Sequence, residues 1–61
     1  MKGDNQITVY DSMIIERQMN GIKDIIDEYG NFFYTKYPKQ SLIDMISEIR
    51  EELIWIENYI D

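Results

Sequence analysis

The chain has 61 residues, of which 44% are hydrophobic, and it carries a net charge of −6. It contains no cysteine and no histidine, which excludes disulfides and the usual zinc sites and removes the commonest catalytic nucleophile and base. The apolar content is too high for a disordered chain, and no apolar run approaches the roughly 18 residues of a membrane span.

A domain of this size has little room for a core. It buries only about 60% of the surface that its unfolded chain exposes, and small domains compensate with disulfides, metals or association. Because the chain has no cysteine for disulfides and no cysteine or histidine for the usual metal sites, we expect association with another protein. The acidic balance repels nucleic acid and anionic lipid and favours basic partners. We therefore expect one small domain over residues 1–61 that binds protein, with no direct nucleic acid and no membrane as partner.

A polar arm and a short strand are the first elements predicted. Residues 1–6 are polar and lack the apolar segment of a secretion signal, so we expect a flexible arm and a cytoplasmic protein. The stretch from Ile7 to Tyr10 is rich in β-branched residues and alternates apolar and polar side chains, a pattern that is typical of a strand. Asp11 or Ser12 then supplies the side-chain oxygen that caps a helix.

A first amphipathic helix is predicted over residues 11–29. Its apolar positions recur at spacings of four, three, four and three, and they are Ile15, Met19, Ile22, Ile26 and Tyr29. Such a stripe is the side that a helix buries. Gly30 follows at a place where a left-handed residue ends many helices. Gly21 lies in the middle, where it either permits a close helix crossing or is simply tolerated.

The connection over residues 31–38 is aromatic. Its Phe, Tyr and Thr content favours an extended segment. This segment is expected either to pair as a strand, with residues 7–10 against 32–36, or to form a loop that lays its aromatic rings over the helices. Pro38 keeps Tyr37 out of the α region. Ser41 and Asp44 then match a capping box at the start of a second helix.

The second helix, over residues 41–60, has the most regular apolar pattern. Its seam alternates spacings of four and three through Leu42, Ile46, Ile49, Leu53, Ile56 and Ile60. A seam of this kind is typical of coiled-coil-like packing. Two helices with a short connection fold back most simply as an antiparallel hairpin. The predicted fold class is mainly α, a two-helix hairpin with an aromatic extended segment between the helices.

Near its end, the second helix carries more apolar residues than one seam uses. An uncovered apolar patch marks an interaction surface, and tryptophan and tyrosine are enriched in binding hot spots. The predicted interface residues are Ile54, Trp55, Tyr59, Phe32, Phe33 and Ile43. If a second copy covers them, a homodimer with four helices results. The alternative is that the aromatic segment folds over this flank and closes a single-chain core.

The carboxylates are the remaining candidates for chemistry or recognition. Asp24 and Asp27 share one face of the first helix, and Glu48 and Glu51 share one face of the second. This spacing resembles a reduced acidic signature of the all-α nucleotide pyrophosphohydrolases, and the resemblance implies divalent-metal-dependent hydrolysis. Here, however, the first pair is Asp/Asp, the order is reversed and the chain is shorter. Together with Glu52, the same acids would alternatively imitate nucleic-acid phosphates and block a basic groove, or only keep the protein dispersed.

Taken together, these patterns favour a protein that is not an enzyme. We predict no catalytic residue, no metal and no cofactor. The expected function is that of a small acidic protein-binding module that inhibits or modulates a larger partner, as accessory anti-defence proteins of phages and mobile elements do. Size and shape are also similar to the small aspartyl-phosphate phosphatases of sporulating bacteria, but Ser47 to Glu51 departs from their Ser-Gln-Glu-Leu-Asp signature.

Overall fold

The computed structural model of the protein describes residues 5–61 as a two-helix hairpin. Helix α1 spans Val9–Glu28 and helix α2 spans Pro38–Ile60, with one 3₁₀ turn at Phe32–Tyr34 between them. The predicted mainly helical class and the hairpin are confirmed, and these residues contain no strand. The first four residues of the predicted arm lie outside the described part of the chain.

Helix α1 begins before the predicted position because Thr8, rather than Asp11 or Ser12, caps it. The Thr8 hydroxyl accepts from the backbone N–H of Asp11 at 3.0 Å and donates to the Asp11 carboxylate at 2.8 Å. This reciprocal pair satisfies a free N–H group of the first turn and places an acid near the positive end of the helix. Val9 and Tyr10, which the sequence assigned to a strand, therefore form the first turn of α1.

Helix α1 ends through tight turns rather than through a left-handed glycine. The Gly30 N–H donates to the Asp27 carbonyl oxygen at 3.2 Å, and three more backbone hydrogen bonds that each span three residues follow as far as Thr35. The φ angle of Gly30 lies outside the left-handed region. The aromatic segment, predicted to be extended over residues 31–38, is consequently wound into a 3₁₀ turn at its centre.

Helix α2 begins at Pro38, three residues before the predicted start. Proline suits the first helical position because it lacks only an N–H that would have no partner there. Tyr37 precedes it as the N-cap and makes no side-chain capping bond. Ser41, the predicted cap, lies inside the first turns, and Asp44 accepts from the Gln40 side-chain amide at 2.9 Å instead of reaching back. The capping box predicted here was therefore wrong.

The two helices meet along a seam that is only partly apolar. The half-buried residues recur at spacings of three and four on both helices. On α1 they are Asp11, Ile14, Ile15, Gln18, Gly21, Ile22, Ile25 and Tyr29, and on α2 they are Ser41, Leu42, Met45, Ile49, Glu52, Ile56 and Tyr59. Polar side chains thus occupy positions in the seam on both sides.

Only half of the seam predicted for α2 contacts α1. Ile46, Leu53 and Ile60 are 48%, 53% and 40% exposed, and Met45, Glu52 and Tyr59 take their places. This part of the prediction was wrong because the apolar stripe of α2 is wider than one helix contact. Hydrogen bonds to α1 decide which half of the stripe turns inward.

None of the residues 5–61 is buried. The Cα atoms extend over 47 × 16 × 12 Å, and residues 5–61 form two α-helices that pack side by side. The hairpin is therefore a single layer of two helices. Stable domains normally enclose their core between two packed layers, so every surface of this layer is open to a partner.

Candidate functional site

The open end of the hairpin, where α1 begins and α2 ends, carries a linked polar and aromatic cluster. The Tyr59 hydroxyl donates to the Asp11 carboxylate at 2.7 Å. The Trp55 ring stacks on the Tyr59 ring, with centroids 5.4 Å apart and planes 8° apart. Trp55 remains 43% exposed. Two predicted interface residues thus lie together, but Tyr59 already has a partner within the chain.

This contact shifts the acidity of both partners. Donation to Asp11 raises the pKa of Tyr59 to about 12, since deprotonation would remove the hydrogen bond and place two negative charges together. The same hydrogen bond, with those from Thr8, lowers the pKa of the Asp11 carboxyl group. The open end is therefore joined most strongly when Asp11 is ionised and Tyr59 is protonated.

One more hydrogen bond bridges the helices farther along the seam, and Tyr29 and Glu48 influence each other near the closed end. The Gln18 side-chain amide donates to the Glu52 carboxylate. Near the closed end, a hydrogen bond to Glu48 raises the pKa of Tyr29 to about 12, with further contributions from desolvation and from neighbouring acids. A Cβ atom added at Gly21 would meet only Glu52 Oε2, at 4.0 Å. Gly21 is therefore tolerated in α1 and is not needed for a close helix crossing.

The predicted acidic face is divided by these contacts. Glu52 accepts a hydrogen bond from α1 and Glu48 influences the pKa of Tyr29, whereas Asp24 and Glu51 are exposed on one side of the layer and Asp27 lies on the far side of α1. The Asp24/Asp27 and Glu48/Glu51 pairs consequently do not face each other across the seam. Within residues 5–61, no group of three potential ligands is close enough to hold a metal ion.

The closed end of the hairpin presents an aromatic tip, which we define as Phe33, Tyr34, Lys36, Tyr37 and Lys39. Its three rings are 75%, 86% and 64% exposed in chain order. Phe33 and Tyr34 pack edge to face at 5.9 Å, and the Lys36 ammonium lies 5.6 Å from the centre of the Tyr37 ring. An open groove of about 500 Å³ runs from these lysines to the first turns of α2.

The predicted interface residues are spread over three places. Phe33 belongs to the aromatic tip and packs edge to face, at 6.5 Å, on the half-buried Phe32 that precedes it, and Ile43 lines the groove beside the tip. Trp55 lies at the other end, roughly 25 Å from the start of α2 at 1.5 Å per residue. Ile54 lies alone on the outer edge of α2 and is 49% exposed. The aromatic segment therefore does not cover the Trp55 flank. The alternative in which this segment closes a single-chain core was wrong.

One further surface was missed by the sequence analysis, and we call it the apolar face: Met19, Ile26, Ile46, Leu53 and Ile60. These side chains are 40–53% exposed. At about 100° per residue, they lie to the same side of the seam on their own helix. In two antiparallel helices that lie side by side, residues rotated by the same angle from the seam about their own helix axes project from the same side of the layer. The signal in the sequence was an apolar stripe too wide for one partner helix.

No protein-family model matches the chain, and no curated protein and no solved structure is similar to it. Within residues 5–61, neither helix combines the length and the apolar content needed to cross a bilayer. What the protein does must therefore be inferred from the surfaces described above.

Proposed function

We propose that this protein is a non-catalytic module that contacts a larger partner protein with its aromatic tip and thereby inhibits or modulates that partner. The supporting observation is the exposure of Phe33, Tyr34 and Tyr37, at 75%, 86% and 64%, on an ordered turn. These rings do not pack on the helices of their own chain and are exposed to solvent. Exposed aromatic side chains of this kind commonly become the anchors of a protein interface.

The tip is held in place before it meets a partner. The Thr35 hydroxyl donates to the Phe32 carbonyl oxygen at 2.8 Å and lies 3.2 Å from the Ser41 hydroxyl, which ties the turn to the start of α2. A surface that is already ordered loses less conformational entropy when it binds. The turn is thus suited to present its rings as a rigid anchor.

The charge of the tip is opposite to that of the body. Residues 31–40 contain two lysines and no acid, in a chain with a net charge of −6. A partner with an acidic rim around an apolar pocket would attract the tip and repel the helices. Complementarity of this kind orients the encounter of two proteins and raises its rate.

The setting of this activity is proposed on composition alone. The small size, the acidity and the abundance of Ile and Tyr fit accessory proteins of bacterial viruses and mobile elements. We accordingly place the module in the cytoplasm, where an anti-defence role would meet its target.

Site-specific crosslinking tests the proposal. A photoreactive residue replaces Tyr34 in the full chain, or in the control replaces Val9, which is 80% exposed at the other end of the hairpin. After irradiation in host extract, we expect one protein to be captured from position 34 and not from position 9. The captured protein is then purified, and its affinity for the chain and its activity are measured.

Binding of the purified pair gives the decisive numbers. We expect Phe33→Ala and Tyr34→Ala each to weaken binding about 30-fold, as loss of a hot-spot side chain does, and Trp55→Ala to change it less than about threefold. Unchanged binding by both tip variants would overturn the proposal. Steep weakening by salt together with loss on Asp24→Lys or Glu51→Lys would instead identify the phosphate mimic.

A further inference from the structure

We infer that a second copy of this chain covers the apolar face and completes a four-helix bundle, with the acidic side of each hairpin turned outward. The inference concerns a different surface from the aromatic tip. It begins from Met19 and Ile26 on α1 and Ile46, Leu53 and Ile60 on α2, which are 40–53% exposed although they border the half-buried seam. Large aliphatic side chains in one continuous face are unusual on a protein that functions as a monomer.

The exposed area matches what one such contact would remove. The chain exposes 5292 Å². A compact monomer of 7.4 kDa is expected to expose roughly 4,200 Å², so the surplus is roughly 1,100 Å² per chain. A specific interface of standard size removes roughly 800 Å² from each partner. One face-to-face contact between two hairpins therefore removes most of this surplus, roughly 800 of 1,100 Å² per chain.

The second copy also supplies the missing layer. Residues 5–61 of one chain enclose no buried side chain, because two helices make a single layer. When two apolar faces meet, the seam and the face together form the interior of a four-helix bundle. Each hairpin has one such face, so a twofold pair uses it completely and the assembly closes.

The rim of the apolar face favours a copy of this chain over a strongly charged partner. Lys23 and Arg50 border the face together with Glu16 and Glu57, so both signs of charge are present. A twofold interface must complement itself, and a mixed rim allows this. The other side of the layer is acidic and carries Asp24, Glu28, Asp44, Glu48 and Glu51, beside one arginine, Arg17. Pairing through the apolar faces keeps these like charges apart.

Adjacent residues of α2 provide a matched test by sedimentation equilibrium. Leu53 is 53% and Ile54 is 49% exposed, but only Leu53 belongs to the apolar face. We expect the wild-type protein and Ile54→Glu to have twice the 7.4 kDa mass of one chain. Leu53→Glu should raise the dissociation constant of the dimer more than about 100-fold, because each interface would bury two unpaired carboxylates.

Thermal melting of the wild-type protein keeps the test decisive if Leu53→Glu fails to fold. A dimer that gains its core on association melts at a temperature that rises with protein concentration. A helical wild-type monomer with a constant melting temperature would overturn the inference. The inference would also be overturned if Ile54→Glu dissociated the dimer, whether Leu53→Glu left it intact or dissociated it to the same extent. Partner binding by the tip variants is a separate readout, so either proposal can fail without the other.

Discussion

Two pairs of side chains form hydrogen bonds across the hairpin and favour one rotation of each helix about its own axis. They are Asp11 with Tyr59 and Gln18 with Glu52. Each pair puts polar side chains at seam positions that would be aliphatic in a continuous apolar seam. A buried or half-buried polar group is costly without a partner, so these contacts favour one rotation of α2 and leave Leu53 and its neighbours outside.

Tyrosine titration reports on the Asp11–Tyr59 contact and on the surroundings of Tyr29 near Glu48. Of the five tyrosines, Tyr29 and Tyr59 have a pKa raised from the ordinary value of 10.0 to about 12. Because the pKa is raised in the folded state, the stabilisation is present below about pH 10 and is lost as the pH rises through about 12. Tyrosinate absorbance should therefore show two late-titrating groups. Tyr59→Phe should remove one, while Tyr34→Phe should leave both, and a single transition for all tyrosines would contradict the contacts.

At the scale of the elements, local side chains determine where each helix begins. Thr8 caps α1 through its hydroxyl group, and Pro38 opens α2 because its ring presets the first helical φ angle. These devices lie outside the regular apolar patterns, so periodicity places the helices correctly but misses their first turns. The aromatic segment differs from its predicted extended form for a related reason, since the tight turns after α1 leave too few residues for a strand.

Within α1, Gly21 offers a direct test of how close the helices are. A Cβ atom there meets only Glu52 Oε2 at 4.0 Å, whereas one at Gly30 lies 3.3 Å from the Asp27 carbonyl oxygen. Gly21→Ala should therefore stabilise the protein by about 1 kcal/mol, because alanine loses less backbone entropy in a helix. Gly30→Ala should gain less or destabilise. Urea unfolding measures both, and a lower midpoint for Gly21→Ala would show that the helices need closer contact than observed.

The whole molecule is a two-sided layer with distinct ends. One side is apolar, the other is acidic, and the aromatic tip lies at the closed end. An arrangement of this kind separates self-association from recognition of a larger partner, since different residues serve each role. At the open end, Trp55 stacks on Tyr59 within α2, and the Tyr59 hydroxyl joins α2 to the start of α1 through its hydrogen bond to Asp11.

This separation predicts independent effects of variants at the two surfaces. Phe33→Ala should leave the sedimenting mass and the melting temperature within about 2 °C of the wild-type values, because an exposed side chain contributes little to stability. Leu53→Glu should change both strongly. Differential scanning calorimetry at matched concentrations makes the comparison. A large loss of stability in Phe33→Ala would indicate that the tip packs against the second copy.

The number of helices, their hairpin connection and the lack of histidine and cysteine chemistry were determined by the sequence alone, because helical periodicity and composition are local properties. Which half of each apolar stripe faces the other helix was decided only by the tertiary structure. Its hydrogen bonds join residues 34 and 48 positions apart, and no local pattern encodes such pairs. The apolar face is therefore visible only once the helices are paired, because the seam selects one part of the stripe and leaves the rest for a partner.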